Sequence, residues 1–256
     1  MLKTALSAFI ALFLLLPCNS AVSEEITTES LIYLTEKYPP HNYMENGRLK
    51  GVSIAILQLL WKKLNVPDKT SSVEMVPWAR GMSMIKHKPN IVLFGMGYSE
   101  ERAAQFHWVG PYYSHPLSLI GKKSAHHIIK TLKEAEKLTV GAVRDDIGDS
   151  ILLKMGFPQP SLELSNNQES LFLKLKNGRI DLASYSNDAA IEGMKKAGLN
   201  PDEYEMVYEI KRLKGGFGFS KQVPQHIIDD FQHALEDLVK NGAIKKILLK
   251  YKLLTE

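Results

Sequence analysis

Apolar positions between residues 52 and 64 fall at Val52, Ile56, Leu57, Leu60, Trp61 and Leu64, the spacing of one face of an α-helix. The segments around it predict strands: SLIYLTE before, SSVEMVPW after. A short helix follows over Ala79 to Lys88. Next comes NIVLFGMG, apolar throughout and so a strand buried on both faces. Strand–helix–strand–helix–strand order predicts a mostly parallel sheet covered by helices.

The pattern restarts near Pro116. KLTVGAV predicts a strand, and RDDIGDSILLKMGF a helix, with Asp146 as N-cap, Asp149 three residues on as in a capping box, and Gly156 and Pro158 ending it. SNNQESLFLKLKNG is a second capped helix, stopped at Asn177 and Gly178. RIDLASYS predicts a strand and Asn187 to Gly198 a helix. From Gly215 a short strand, GGFGFSK, precedes two amphipathic helices that would join an existing unit more naturally than stand alone. The simplest α/β architecture has one lobe from both chain ends (26–115 plus 214–256) and a second, inserted lobe (116–213). Crossing segments near 112–121 and 208–214 would form a hinge. A cleft between lobes is a common ligand site.

The start of the chain has a different character. Lys3 precedes an uncharged run from Ala5 to Leu16, then Pro17, small residues, Glu24 and Glu25. This predicts a cleavable secretory leader over residues 1–23, cut after Ser20, Ala21 or Ser23. A run of about twelve residues is short for a membrane span, which needs roughly 20. Cys18, the only cysteine, leaves a lipoprotein reading open, although Pro17 stands where a small residue is wanted. Cut beyond Cys18, the mature chain has no cysteine, and an exported protein without disulfides relies on its core. The net charge is +4. Its basic residues are scattered as WKK, GKK, MKK and IKK beside apolar positions, which predicts solvated faces and argues against a nucleic-acid partner. No nucleophile motif, phosphate loop or HExxH occurs, and the eight histidines have no metal-ligand spacing; His126 and His127 read as exposed loop residues.

Four segments carry a resemblance: LTEKYPPHNYMENGRLKGVSIAIL, GMGYSEERAAQFHWVGPYY, VGAVRDDIGDS and NGRIDLASYS. In their order and spacing the chain resembles family three of the bacterial extracellular solute-binding proteins, the two-lobed clamshells that bind polar amino acids. The resemblance implies a periplasmic-binding-protein-like α/β fold and a monomeric, periplasmic protein without cofactor. It further implies capture of a small carboxylate-bearing solute for an ABC-type importer in the inner membrane. It places a carboxylate-binding arginine at Arg102, whose planar fork suits that partner; the alternative is a surface arginine pairing with Glu100 or Glu101. It places cleft-lining main chain at Gly95 and Gly97, and aromatic walls at Tyr38 and Trp78, either of which could instead simply pack. Arg80 faces the cleft or solvent.

The loop opening the second lobe would meet a carboxylate with helix-start amides. Here it carries Asp145 and Asp146, with Asp146 also serving as a plain N-cap and Arg144 able to restore positive charge. The family's ammonium-holding acid, five residues after Asp181, falls on Ser186; Asn187 or Asp188 would substitute if the strand end shifts, and otherwise Glu36 or Asp146 supplies the negative charge or the solute lacks an ammonium. Other readings are a sensory ligand-binding protein acting through a membrane receptor and a cyclohexadienyl-dehydratase-like enzyme using Glu36 or Asp146. The expectation is a binding protein rather than an enzyme.

Overall fold

The computed structural model describes residues 25–254. The expected leader, with Cys18, lies outside the described residues. In chain order the elements are β1 (Ile32–Thr35), β2 (Tyr43–Glu45), β3 (Arg48–Lys50), α1 (Val52–Lys63), β4 (Glu74–Met75), α2 (Trp78–His87), β5 (Ile91–Gly97), α3 (Glu100–Gln105) and β6 (His107–Lys122). Then follow α4 (Leu132–Ala135), β7 (Val140–Val143), α5 (Ile147–Lys154), β8 (Leu162–Ser165), α6 (Gln168–Lys176), β9 (Leu182–Ser186) and α7 (Asn187–Lys196). The chain ends with β10 (Tyr204–Phe219), α8 (Gln225–Lys240) and α9 (Ala243–Lys250).

These strands form one mixed sheet in the order β4-β1-β5-β10-β6-β9-β7-β8, with β2 and β3 a separate hairpin. β4, β1 and β5 run parallel, as do β9, β7 and β8. Between the two sets lie β6 and β10, antiparallel over sixteen residues each. The crossing segments expected near 112–121 and 208–214 both lie within this long ribbon, and the short strand expected from Gly215 is the end of β10 rather than a separate element. Pro111, Pro116 and the Gly215–Gly216 pair look like breaks in the sequence. The ribbon absorbs its irregularities in register shifts between Met206 and Tyr208, Glu209 and Lys211, and Gly215 and Phe217.

Each half has a core on both faces of its sheet. α1 buries Val52, Ile56, Leu57, Leu60 and Trp61, and α8 buries Ile227, Ile228, Phe231 and Leu235. Both meet Val92, Phe94, Phe217 and Phe219. The opposite face of β5 buries Ile91, Leu93 and Met96 against α2, so this strand is covered on both sides. In the second half, α6 and α7 cover one face with Leu171, Phe172, Ala189 and Met194. Ile147, Ile151 and Leu152 of α5 cover the other.

The predicted strand SSVEMVPW shrinks to Glu74–Met75. Asp68 Oδ1 accepts from the amide of Thr70 at 2.8 Å and sets a turn, and Pro77 has no N–H to extend the pairing. The paired lysines read as solvated faces are exposed. No helix among the described residues is long and apolar enough to cross a membrane.

Candidate functional site

Glu36, Tyr38 and His41, just beyond the end of β1, face the second half across the ribbon. Together with Gly95, Gly97, Tyr113, His115, Asp146 and Ile147 they enclose a cavity of about 20 Å³. That is room for roughly one water.

Gly95 has φ +74°, and a Cβ there would lie 2.5 Å from Asn42 Nδ2. Glycine is therefore required both by the backbone and by the side chain opposite. A Cβ on Gly97 would lie 2.6 Å from Cδ1 of Ile147, so the second half closes directly over this strand end. Tyr38 stacks on His41 with ring centroids 5.4 Å apart and meets Tyr185 of the second half edge-on at 5.6 Å.

Arg102 is buried, 5% exposed, in the short helix capped by Ser99. Its Nη1 donates to the carbonyl of Gly97 at 3.0 Å and its Nη2 to the carbonyl of Asp145 at 3.3 Å. It does not pair with Glu100 or Glu101; these approach Lys154 instead. Burial pulls the Arg102 pKa down, and Asp146, Glu36 and Glu101 oppose the shift. Trp78 is buried in the core at the start of α2, not in the wall opposite Tyr38. Its Nε1 still reaches the second half, donating to Asp145 O at 2.9 Å, and the Arg102 guanidinium lies 5.2 Å from its ring centroid.

Asp146 is the N-cap of α5, accepting from the amide of Ile147 at 2.6 Å. The expected capping box is altered: Asp149 accepts from the amide of Asp145 at 3.1 Å, one residue earlier than the box requires. Asp145 itself is left-handed at φ +60°, which turns its carbonyl toward Trp78 and Arg102. Arg144 is exposed and does not line the cavity, and Arg80 is exposed as well. Burial raises the Asp146 carboxyl against the opposing charge of Arg102. Glu36 is raised well above the carboxylate range, first by burial and then by Asp146, with Arg102 opposing.

Ser186 and Asp188 are buried at the start of α7. The Ser186 hydroxyl donates to Asp188 Oδ1, which also accepts from the amide of Ala189 at 2.9 Å. Asp188 Oδ2 meets Nε2 of His41 at 2.8 Å. Burial alone would raise Asp188. The His41 ring outweighs it, with His115 and Ser186 adding to the effect, and the carboxyl lies well below its usual range.

The cleft thus holds groups that the sequence reading left out: His41, Tyr112, Tyr113 and His115. A signal for two of them exists in PYYSHP, where Tyr113 and His115 are two residues apart on one strand and so share a face. Their rings stack at 5.3 Å.

The pattern of bacterial extracellular solute-binding proteins, family 3, matches residues 31–253. The chain belongs to this family. Its members are solute-binding proteins, not enzymes. Curated relatives include the arginine-binding extracellular protein ArtP of Bacillus subtilis, 26% identical over 93% of this chain and 92% of that protein. Another is a probable histidine-binding protein of Campylobacter jejuni, 23% identical over 98% of each. Among solved structures, the arginine-, lysine-, histidine-binding protein ArtJ of Geobacillus stearothermophilus has a TM-score of 0.76 at 18% identity, covering 88% of this chain and 96% of that one. A histidine kinase sensor domain similar to periplasmic binding proteins has a TM-score of 0.75 at 19% identity, covering 87% and 96%. At these identities the likeness is one of fold.

Proposed function

We propose that this chain is exported to the periplasm through its leader. There it closes two lobes, 26–115 plus 214–256 and 116–213, on a small carboxylate-bearing polar solute, an amino acid or a related acid, for an ABC-type importer. One observation carries the reading. Two acidic side chains, Glu36 from the first half and Asp146 from the second, line one cavity, and the buried guanidinium of Arg102 lies beside it on the carbonyls of Gly97 and Asp145. Those groups suit a solute with a carboxylate and a cationic side chain, and the relatives named for binding arginine and histidine support the class.

A cavity of about 20 Å³ admits no amino acid, so the solute enters when the halves separate. The ribbon of β6 and β10 is the covalent link between them and serves as the hinge, bending at its register shifts. Separation withdraws Asp145 from both Arg102 and Trp78. The Arg102 fork then faces the cleft, ready for a carboxylate, and closure returns the amides at the start of α5 to the same region.

Titration calorimetry with L-arginine, L-histidine and their carboxylate analogues tests this. Arg102→Ala is expected to weaken binding by roughly 2 kcal/mol or more, about 30-fold, with the fold intact by circular dichroism. Unchanged affinity in a folded variant overturns the assignment.

A further inference from the structure

His41 and Asp188 come from different halves and meet at 2.8 Å, their side chains only 3% and 7% exposed. The position of His41 is built in. The amides of Val52 and Ser53, which have no partner within α1, donate to the carbonyls of Pro40 and His41 at 3.1 Å each. Gly51, at φ +127°, permits this approach, because a Cβ there would lie 2.0 Å from His41 O. The ring is flanked by Tyr38 on its own turn and by Tyr113 and His115 from β6. On the other side of the pair, both oxygens of Asp188 are engaged by internal donors: His41 on Oδ2, Ser186 and Ala189 on Oδ1.

We infer that His41 is a specificity-determining residue: it takes the place of a solute amine on Asp188 and so withholds that carboxylate from the ligand. The inference rests on the proposed function only in treating this cleft as the solute site. A carboxylate that already accepts three internal hydrogen bonds gains little from a fourth, whereas an ammonium that displaces the ring must break a buried contact. The Glu36 side chain has no hydrogen-bond partner among the described residues and lines the cavity, where it stays available to the solute. The same pair joins the halves and favours closure before any solute arrives.

Two measurements test this together. In the first, solution scattering without solute compares the exported protein with His41→Ala, Asp188→Asn and the double variant. Both single variants are expected to shift toward a larger radius of gyration, and the double variant to go no further than either. Radii identical to wild type, or effects that simply add, overturn the pairing. In the second, calorimetry compares L-arginine with 5-guanidinopentanoate, and L-histidine with imidazolepropionate, pairs that differ only in the α-amine. Wild type is expected to bind the members of a pair within a few-fold. His41→Ala is expected to favour the amine by about 10-fold, the effect of one charged hydrogen bond, while His41→Gln, which keeps a donor, stays near wild type. A strong preference for the amine in wild type that Asp188→Asn abolishes overturns the inference. If neither pair binds, the solute class proposed above fails for these ligands, and the scattering comparison still decides whether His41 holds Asp188.

Discussion

Trp78 of the first half donates its indole N–H to the carbonyl of Asp145 in the second, 2.9 Å away. The rest of the ring is packed among Leu34, Val76, Ile85 and Leu93. One side chain is thus core on one side and a tie between halves on the other, and a substitution can separate the two roles. Trp78→Phe keeps most of the apolar body and removes the donor. It is expected to cost about 1 kcal/mol, the worth of one hydrogen bond, or roughly 2–4 °C in melting temperature for a chain of this size. Scattering should show a more open ensemble. A variant that melts lower but scatters as wild type would reduce Trp78 to a packing role.

Gly95 makes a sharper steric prediction. Alanine there must adopt a left-handed backbone and place its Cβ 2.5 Å from Asn42. Gly95→Ala is expected to destabilise the fold by about 1–3 kcal/mol, read as a lower urea midpoint with an unchanged slope. It also shifts Asn42, beside the cleft turn, so affinity should fall as well. Full stability in the variant would show that the strand end adapts.

Glu36 couples the cleft to pH. Its folded pKa is raised above the ordinary value, chiefly by burial and then by Asp146. The folded state therefore holds this proton more tightly than the unfolded chain does. The corresponding stability is fully present below the unfolded value and is lost as pH rises through the folded one. Glu36→Gln removes that loss. It is expected to melt higher than wild type at pH 7, with the gap closing as pH falls toward 4.5, while binding a cationic solute more weakly. Equal melting at neutral pH would mean that the carboxylate is well solvated in solution.

Much of the scaffold is readable because burial leaves a periodic mark. The stripes of α1 and α8 and the unbroken apolar run of β5 indicate their own elements. The β6–β10 ribbon leaves no such mark. Its middle links two cores, so neither face is apolar throughout, and its prolines and glycines imitate turns. The site divides in a similar way. The resemblance to the family, not the pattern of the residues, names Tyr38, Gly95, Gly97 and Arg102, and the structure sets Tyr38, Gly95, Gly97 and Asp146 around one cavity, with Arg102 beside it. The partners of Arg102 are main-chain carbonyls, which no side-chain pattern reveals. His41 and Asp188 are separated by 147 residues, and only the folding of the second half over the first turns two unremarkable positions into a buried pair. Arg144, expected to restore positive charge, is exposed, and it is the carbonyl of the left-handed Asp145 after it that reaches Trp78 and Arg102.

The central claim, that the cleft captures a carboxylate, is tested most directly by thermal shift. The purified protein would be melted with each amino acid and a panel of organic acids, and every hit repeated with its carboxamide. A ligand at about 100 times its Kd adds about 2.7 kcal/mol of stability, several degrees here. The account predicts at least one acid that stabilises the protein and a matching amide that does not. Stabilisation by the amide as strong as by the acid would contradict it.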